Sequence, residues 1–320
     1  MRIGLMIEGQ EGVAWDQWVA LAAAAEEHGF DSLFRSDHYL SFGAPAERGT
    51  LDAWATINAL AARTERIRLG TLVSPATFRH PSELAKVVAT ADHVSGGRVE
   101  LGMGAGWFER EHRAYGFPFP PTGERFARFA EQVEIVHRLW NPDQETVSFN
   151  GRFYSLEEVH PLFRPVQRPH PPLILGGQAG PKAVALAVRW ADEYNTHFKS
   201  PADCSEVRDR LRTACEAGER DPSSLRFSLM TGMLLGEDER DLEARGRRLM
   251  ELRGATGEVG AFLEGLGDAW VIGTPEQALE RLQQFAEAGV ERIMLQHLLH
   301  DDLDVVALIG RDLIPAAAGL

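Results

Sequence analysis

Cysteine is nearly absent from this 320-residue chain: there are two, Cys204 and Cys215, eleven apart in a segment that reads as one helix. That pair fits neither a disulfide framework nor a zinc knuckle, so both are expected to be reduced thiols. No run of about 20 apolar residues is present to span a bilayer, and Met1-Arg2-Ile3-Gly4-Leu5 enters a strand pattern without a signal-peptide layout. The expectation is a cytoplasmic protein with no membrane role. Basic charge is also short, with Lys+Arg 33 against Asp+Glu 47 and a formal net charge of −14. Without a dense Lys/Arg cluster to neutralise phosphates, nucleic acid is disfavoured as a partner. Metal-site patterns are missing too: His297 and His300 have no HxH or HExxH partner, so no metal is expected.

What is present is an alternation of strands and helices. Residues 2–7 form a short apolar run, and residues 14–28 repeat apolar positions at helical spacing until Gly29 closes the helix. Residues 31–39 (DSLFRSDHY) read as a strand running into a polar loop, and strand-like runs recur at 67–73, 98–103, 172–176, 193–197, 225–235 and 290–297, with helical segments between them. About eight such units in one chain predict a single (β/α)8 TIM barrel domain over 1–320. Insertions are expected near 140–171, with a hairpin turned by Asn150-Gly151, and near 254–274. A doubly wound sheet is the structural alternative.

In a barrel, chemistry sits just after the strands. The second strand is followed by Arg35-Ser36-Asp37-His38-Tyr39, where an aspartate–histidine pair is either a proton donor and acceptor or a capped turn. The third is followed by Ser74-Pro75-Ala76-Thr77-Phe78, which is equally a ligand edge or a plain turn. After the fourth come Gly102, Gly104, Ala105 and Gly106, then Trp107, Glu109, Glu111 and His112. Alternate glycines allow close approach of a planar ligand, and tight barrel packing explains them as well. Trp107 stands where a dinucleotide fingerprint would need glycine. After the fifth, Gly176-Gly177-Gln178-Ala179-Gly180 opens straight into a helix, a layout suited to a phosphate.

Read in order, RIGL, LFRSDHY, LGTLVSPATFRHPSELAK, GGRVELGMGAGWFEREHRAYG, PPLILGGQAGPKAVALAVRWADEYN and GTPEQALERLQQFAEAGVERI resemble the bacterial luciferase-like monooxygenase superfamily. Within it, the likeness is to the branch of F420-dependent oxidoreductases, and it covers nearly the whole chain. The resemblance implies a barrel that binds coenzyme F420, or alternatively FMN, at the strand C-termini. It implies a non-proline cis peptide at Leu72–Val73 beside the ring, with Thr77 and Gly104–Gly106 lining the coenzyme. Gly177, Gln178 and Ala179 would hold its phosphate through main-chain amides, with Gly176 before them also counted as cofactor-binding. Asp37 and His38 match the catalytic pair, with His38 as the acid/base.

One departure concerns specificity. In the sugar-phosphate dehydrogenases of this branch a glutamate closely follows the glycines of the fourth strand; here Trp107 takes that place. Glu109, Glu111 and His112 are the nearby candidates to act instead, and Trp107, Glu111 and His112 are expected to line the substrate pocket. With no dense basic patch and with Phe78, Trp107, Phe108, Phe117 and Phe119 at hand, an apolar or neutral small molecule is expected there. The resemblance also implies a homodimer. The rival activity is a two-component FMN-dependent monooxygenase fed by a separate reductase, and a non-catalytic flavin-binding barrel is the reading from outside enzymology.

Overall fold

A computed structural model describes residues 1–43 and 48–320. Eleven strands form among them: β1 (Arg2–Ile7), β2 (Ser32–Arg35), β3 (Arg68–Pro75), β4 (Val99–Gly104), β5 (Val147–Asn150), β6 (Ser155–Val159), β7 (Leu173–Gly176), β8 (Glu193–His197), β9 (Arg226–Leu235), β10 (Val271–Gly273) and β11 (Arg292–Gln296). Eight of them, β1-β2-β3-β4-β7-β8-β9-β11, pair in parallel, and β11 pairs back onto β1 to close the barrel. The expected (β/α)8 architecture is therefore present. Short β10 is an addition that pairs with the far half of β9 at Met233–Leu235.

Local signals position the helices. Ser200 caps the helix Pro201–Ala217 by accepting from Asp203 N–H, and proline opens the helices starting at Pro81, Pro181, Pro201 and Pro275. Gly29, at φ 79°, follows the first long helix Trp15–Glu27 in the left-handed conformation a C′ glycine supplies. Both cysteines are buried and free on Pro201–Ala217, and burial pushes the Cys204 thiol up to about 12. No helix among the described residues is long and apolar enough to cross a membrane.

The insertions take definite forms. Residues 140–171 contain the antiparallel pair β5–β6, with Asn150 opposite Ser155. The turn therefore spans residues 151–154, closed by Gly151 N–H donating to Tyr154 O at 2.9 Å, instead of resting on Asn150-Gly151 alone. Residues 254–274 contain the helix Val259–Leu266 and then β10.

The floor of the barrel is electrostatic. Arg292, fully buried at the start of β11, bonds Glu100 of β4 at 2.7 Å and Glu193 of β8 at 2.8 Å, with Asp31 at 3.3 Å. Arg68 also pairs with Glu100. The opposite ends of the same strands form the site.

Candidate active site

The top of the barrel is shaped by one side chain of β3. The pairing of β3 with β4 slips between Thr71 and Ser74, the Leu72–Val73 peptide is cis, and Val73 swings over its neighbours. A Cβ on Gly104 would lie 2.7 Å from one Val73 methyl, and a Cβ on Gly176 would lie 2.9 Å from the other. A Cβ on Gly102 would collide with the Thr71 carbonyl oxygen. Gly102, Gly104 and Gly176 thus make room for β3 itself, as the packing reading of the glycine pattern expects. Gly102→Ala is expected to cost more stability than Gly104→Ala: backbone blocks the first and a side chain that can shift blocks the second. The gap should reach about 1–3 kcal/mol in paired thermal melts, and equal losses would contradict it.

His38 follows β2 on the wall of the resulting cavity. Its Nδ1 lies 3.0 and 3.1 Å from the two oxygens of Glu111, a carboxylate buried on the short helix Glu109–Tyr115. Facing a carboxylate, Nδ1 carries the hydrogen and Nε2 is left as the acceptor. The same carboxylate accepts from Tyr39 N–H at 2.6 Å and Leu40 N–H at 3.3 Å, so it fixes both the ring and the loop that bears it. Phe42, Trp107 and Phe108 surround the imidazole with ring centroids at 4.8, 5.9 and 6.1 Å.

Asp37 has a different position from the one the sequence suggests. Its carboxylate is buried away from the cavity, accepting from Ser74 Oγ at 2.7 Å and pairing with Arg79. It ties the end of β2 to the end of β3 and is a positioning residue. His112 is likewise committed: Nδ1–H donates to Phe108 O at 2.7 Å, and Nε2 accepts from the Thr77 hydroxyl at 2.6 Å. Thr77 is accordingly bonded within the protein, with its Oγ1 2.7 Å from where a Cβ on Gly106 would sit. Trp107, by contrast, stands at the mouth and is 63% exposed.

The turn after β7 also departs from expectation. Gly177 N–H donates to Asn195 O at 3.1 Å, and Ala179 N–H donates to the Tyr194 hydroxyl at 2.7 Å. Of the three amides assigned to a phosphate, that of Gln178 stays without a partner among the described residues. It precedes the helix Pro181–Trp190, whose N-terminal end favours an anion. The Gln178 side chain donates to Nε2 of His197 at 2.8 Å, leaving the His197 hydrogen on Nδ1. Burial, seconded by Lys199, holds the His197 imidazole below the usual histidine range, so it is a neutral donor.

Together these residues enclose a cavity of about 1020 Å³. Its wall includes Leu72, Val73, Gly104, Ala105, Gly106, Trp107, Gly176, Gly177 and Gln178 from the expected set. It also includes Glu8, Asn195, His197 and Gln296, which sequence reasoning passed over. The signal that could have found them is position: Glu8 follows β1 directly, and the other three lie within β8 and β11 near their C-terminal ends. No group of three His, Cys, Asp or Glu side chains among the described residues could hold a metal ion.

Comparison with known proteins decides the family, because the luciferase-like monooxygenase family model matches residues 1–292. The chain belongs to that family. Over 326 aligned residues it is 30% identical to an F420-dependent glucose-6-phosphate dehydrogenase of Nakamurella multipartita, covering 94% of this chain and 92% of that one. An FMNH(2)-dependent dimethylsulfone monooxygenase of Pseudomonas putida is 27% identical, over 92% of this chain and 86% of its own length. Among solved structures, a monooxygenase from Streptomyces bottropensis superposes with a TM-score of 0.83 at 25% identity, covering 98% and 99% of the two chains. An F420-dependent secondary alcohol dehydrogenase in complex with an F420-acetone adduct superposes with a TM-score of 0.81 at 22% identity, covering 99% and 98%. As a member of this luciferase-like family the protein is an enzyme of the oxidoreductase class.

Proposed function

We propose that this luciferase-like protein transfers a hydride between coenzyme F420 and a small organic substrate, with His38 as the acid/base. The observation that carries the proposal is the His38–Glu111 pair on the cavity wall, since binding alone has no need of an oriented imidazole with an open Nε2. The residues fit the coenzyme: Leu72 and Val73 offer an apolar bed for a flat ring system, and the open Gln178 amide at a helix N-terminus suits a phosphate. A volume of about 1020 Å³ leaves space for a substrate beside it. When bound, the coenzyme supplies the carbon that accepts or releases the hydride.

The protein's part is protonic and steric. His38 Nε2 takes the proton from a substrate hydroxyl in the oxidising direction and returns it to a carbonyl oxygen in the other. Glu111 holds the ring in the tautomer that allows this and stabilises the imidazolium. Phe42 and Trp107 put apolar surface beside the His38 ring at the cavity mouth.

The second reading, an FMN-dependent monooxygenase supplied by a separate reductase, is supported by the dimethylsulfone monooxygenase relative. Titrating the purified protein with oxidised F420 and with FMN, each followed by fluorescence, separates the two. Binding of F420 alone, in the micromolar range, supports hydride transfer. Binding of FMN alone overturns it and directs work to oxygen-consumption assays with a reductase; binding of neither removes both readings and the storage barrel with them.

A further inference from the structure

Glu8 is a carboxylate built into the cavity wall with nothing in the proposed chemistry to do. It follows β1, is only 5% exposed, and lies beside the ends of β2 and β11. Its two oxygens each accept one side-chain amide: Oε2 from Gln10 Nε2 at 2.8 Å and Oε1 from Gln296 Nε2 at 2.6 Å. The orientation of Gln10 is itself enforced. Gly9 N–H donates to Ser36 Oγ at 3.1 Å, and Ser36 donates to Gln10 Oε1 at 2.5 Å, which turns the Gln10 NH2 group towards Glu8. The chain of bonds therefore runs from Gly9 to Ser36 to Gln10 and ends on Glu8, where Gln296 arrives from the other side.

No cation among the described residues pairs with it. Of the two arginines on the cavity wall, Arg48 is taken by Glu11 at 2.7 Å and Arg253 lies over the Trp270 ring, 4.8 Å from its centroid. Arg35, buried nearby, sends its N–H groups to Ser36 O, Leu51 O and Thr56 Oγ1. An ionised carboxylate has about four acceptor directions, and a buried one held only by neutral amides is under-compensated. It has capacity for a further donor, and the cavity is the open side.

We propose that Glu8, oriented by Gln10 and Gln296, is a specificity-determining residue that receives an N–H or O–H donor of the substrate, a protonated amine most tightly. The assignment deepens the function proposed above, because a substrate with a donor at Glu8 would be fixed at one end while His38 acts at another. It also reconciles an aromatic mouth of Phe42 and Trp107 with a polar interior, selecting small amphipathic molecules over purely apolar ones.

Three probes of one shape test this: benzylamine, benzyl alcohol and benzyl methyl ether, compared by ligand-observed NMR on the purified protein with and without F420. Wild-type protein is expected to hold the amine roughly tenfold more tightly than the ether, with the alcohol between them. Glu8→Gln is expected to bring the three to about parity, since the charge-assisted bond is gone. Equal binding of all three by wild type, or an undiminished amine preference in Glu8→Gln, overturns the proposal. If Glu8→Gln does not fold, Gln296→Leu serves instead: it frees a lone pair on Oε1 and should tighten benzylamine, whereas weaker binding counts against the idea. F420 and FMN titrations of the same samples keep the tests separate, because loss of both cofactors rejects the hydride-transfer reading while the probe comparison still judges Glu8.

Discussion

His38→Ala is expected to lower kcat by about 10²–10⁴-fold, the usual contribution of a positioned acid/base, while affinity for the coenzyme stays essentially constant. The expectation rests on geometry. Nδ1 is spent on Glu111, so Nε2 is the ring atom left to exchange a proton with a ligand, and His112 cannot substitute because both its nitrogens are bonded internally. His197 cannot readily substitute either, since Gln178 occupies its Nε2 and burial disfavours its cation. The check is single-turnover kinetics with measured cofactor binding, followed by added imidazole. Partial rescue by imidazole supports an acid/base role; a loss of cofactor binding equal to the loss of kcat would assign His38 to structure instead. Glu111→Gln should give a smaller fall in kcat with little change in KM, because an amide can present its NH2 to Nδ1 and reverse the tautomer.

The second large effect lies at the other end of the barrel. Arg292→Met should destabilise the fold by about 3–5 kcal/mol, because it leaves two buried carboxylates under-paired: among the described residues Glu100 keeps only Arg68, and Glu193 keeps only Arg226 at 3.7 Å. Burial alone would raise the Glu100 carboxyl; the charge and hydrogen bonds of Arg292, then those of Arg68, outweigh it and pull the group down to about 2. A folded-state value below the ordinary carboxylate value of 4.5 means that this stabilisation is complete above that pH and is lost as the pH falls towards 2. The deficit of Arg292→Met should therefore shrink on acidification below about pH 4.5, as protonation relieves the stranded carboxylates. Chemical denaturation of both proteins across that range measures it. A deficit that does not change with pH would mean that lost packing of the side chain, and not charge, explains the effect.

Much of the scaffold was legible because its signals are local. Strand β1 over 2–7 agrees with its sequence run, since a short apolar stretch bounded by turn residues leaves few alternatives; β8 over 193–197 also agrees, although Glu193-Tyr194-Asn195-Thr196-His197 is not an apolar run. The helix Glu109–Tyr115 was not legible, being seven residues with an uncapped start at Phe108, yet it carries Glu111. Strand β10 is three residues in a glycine-rich stretch and exists only because β9 runs past β11.

At the site, local signals mislead in a systematic way. Asp37 and His38 are adjacent in sequence, but one is drawn to Arg79 and the other to Glu111, 73 residues away. Gly177 and Ala179 look like free amides until Asn195 and Tyr194 arrive from β8. Glu8 becomes a site residue only once β11 brings Gln296 beside it. Adjacency predicts which chemistry is available at a strand end; partners from other strands decide which of it remains uncommitted.

Strands β4 and β8 each carry a residue of the ionic floor and, four positions later, a residue of the rim: Glu100 and Gly104 on one, Glu193 and His197 on the other. At about 3.3 Å per residue the two layers lie roughly 13 Å apart along each strand. Changes of rim side chain can thus accumulate without drawing on the layer that keeps the sheet closed, provided Gly102, Gly104 and Gly176 still accommodate Val73. For directed evolution this marks Phe42, Trp107 and Phe198, the last on the cavity wall directly after β8, as positions where substrate range can be diversified with the floor held constant as the reserve of tolerance.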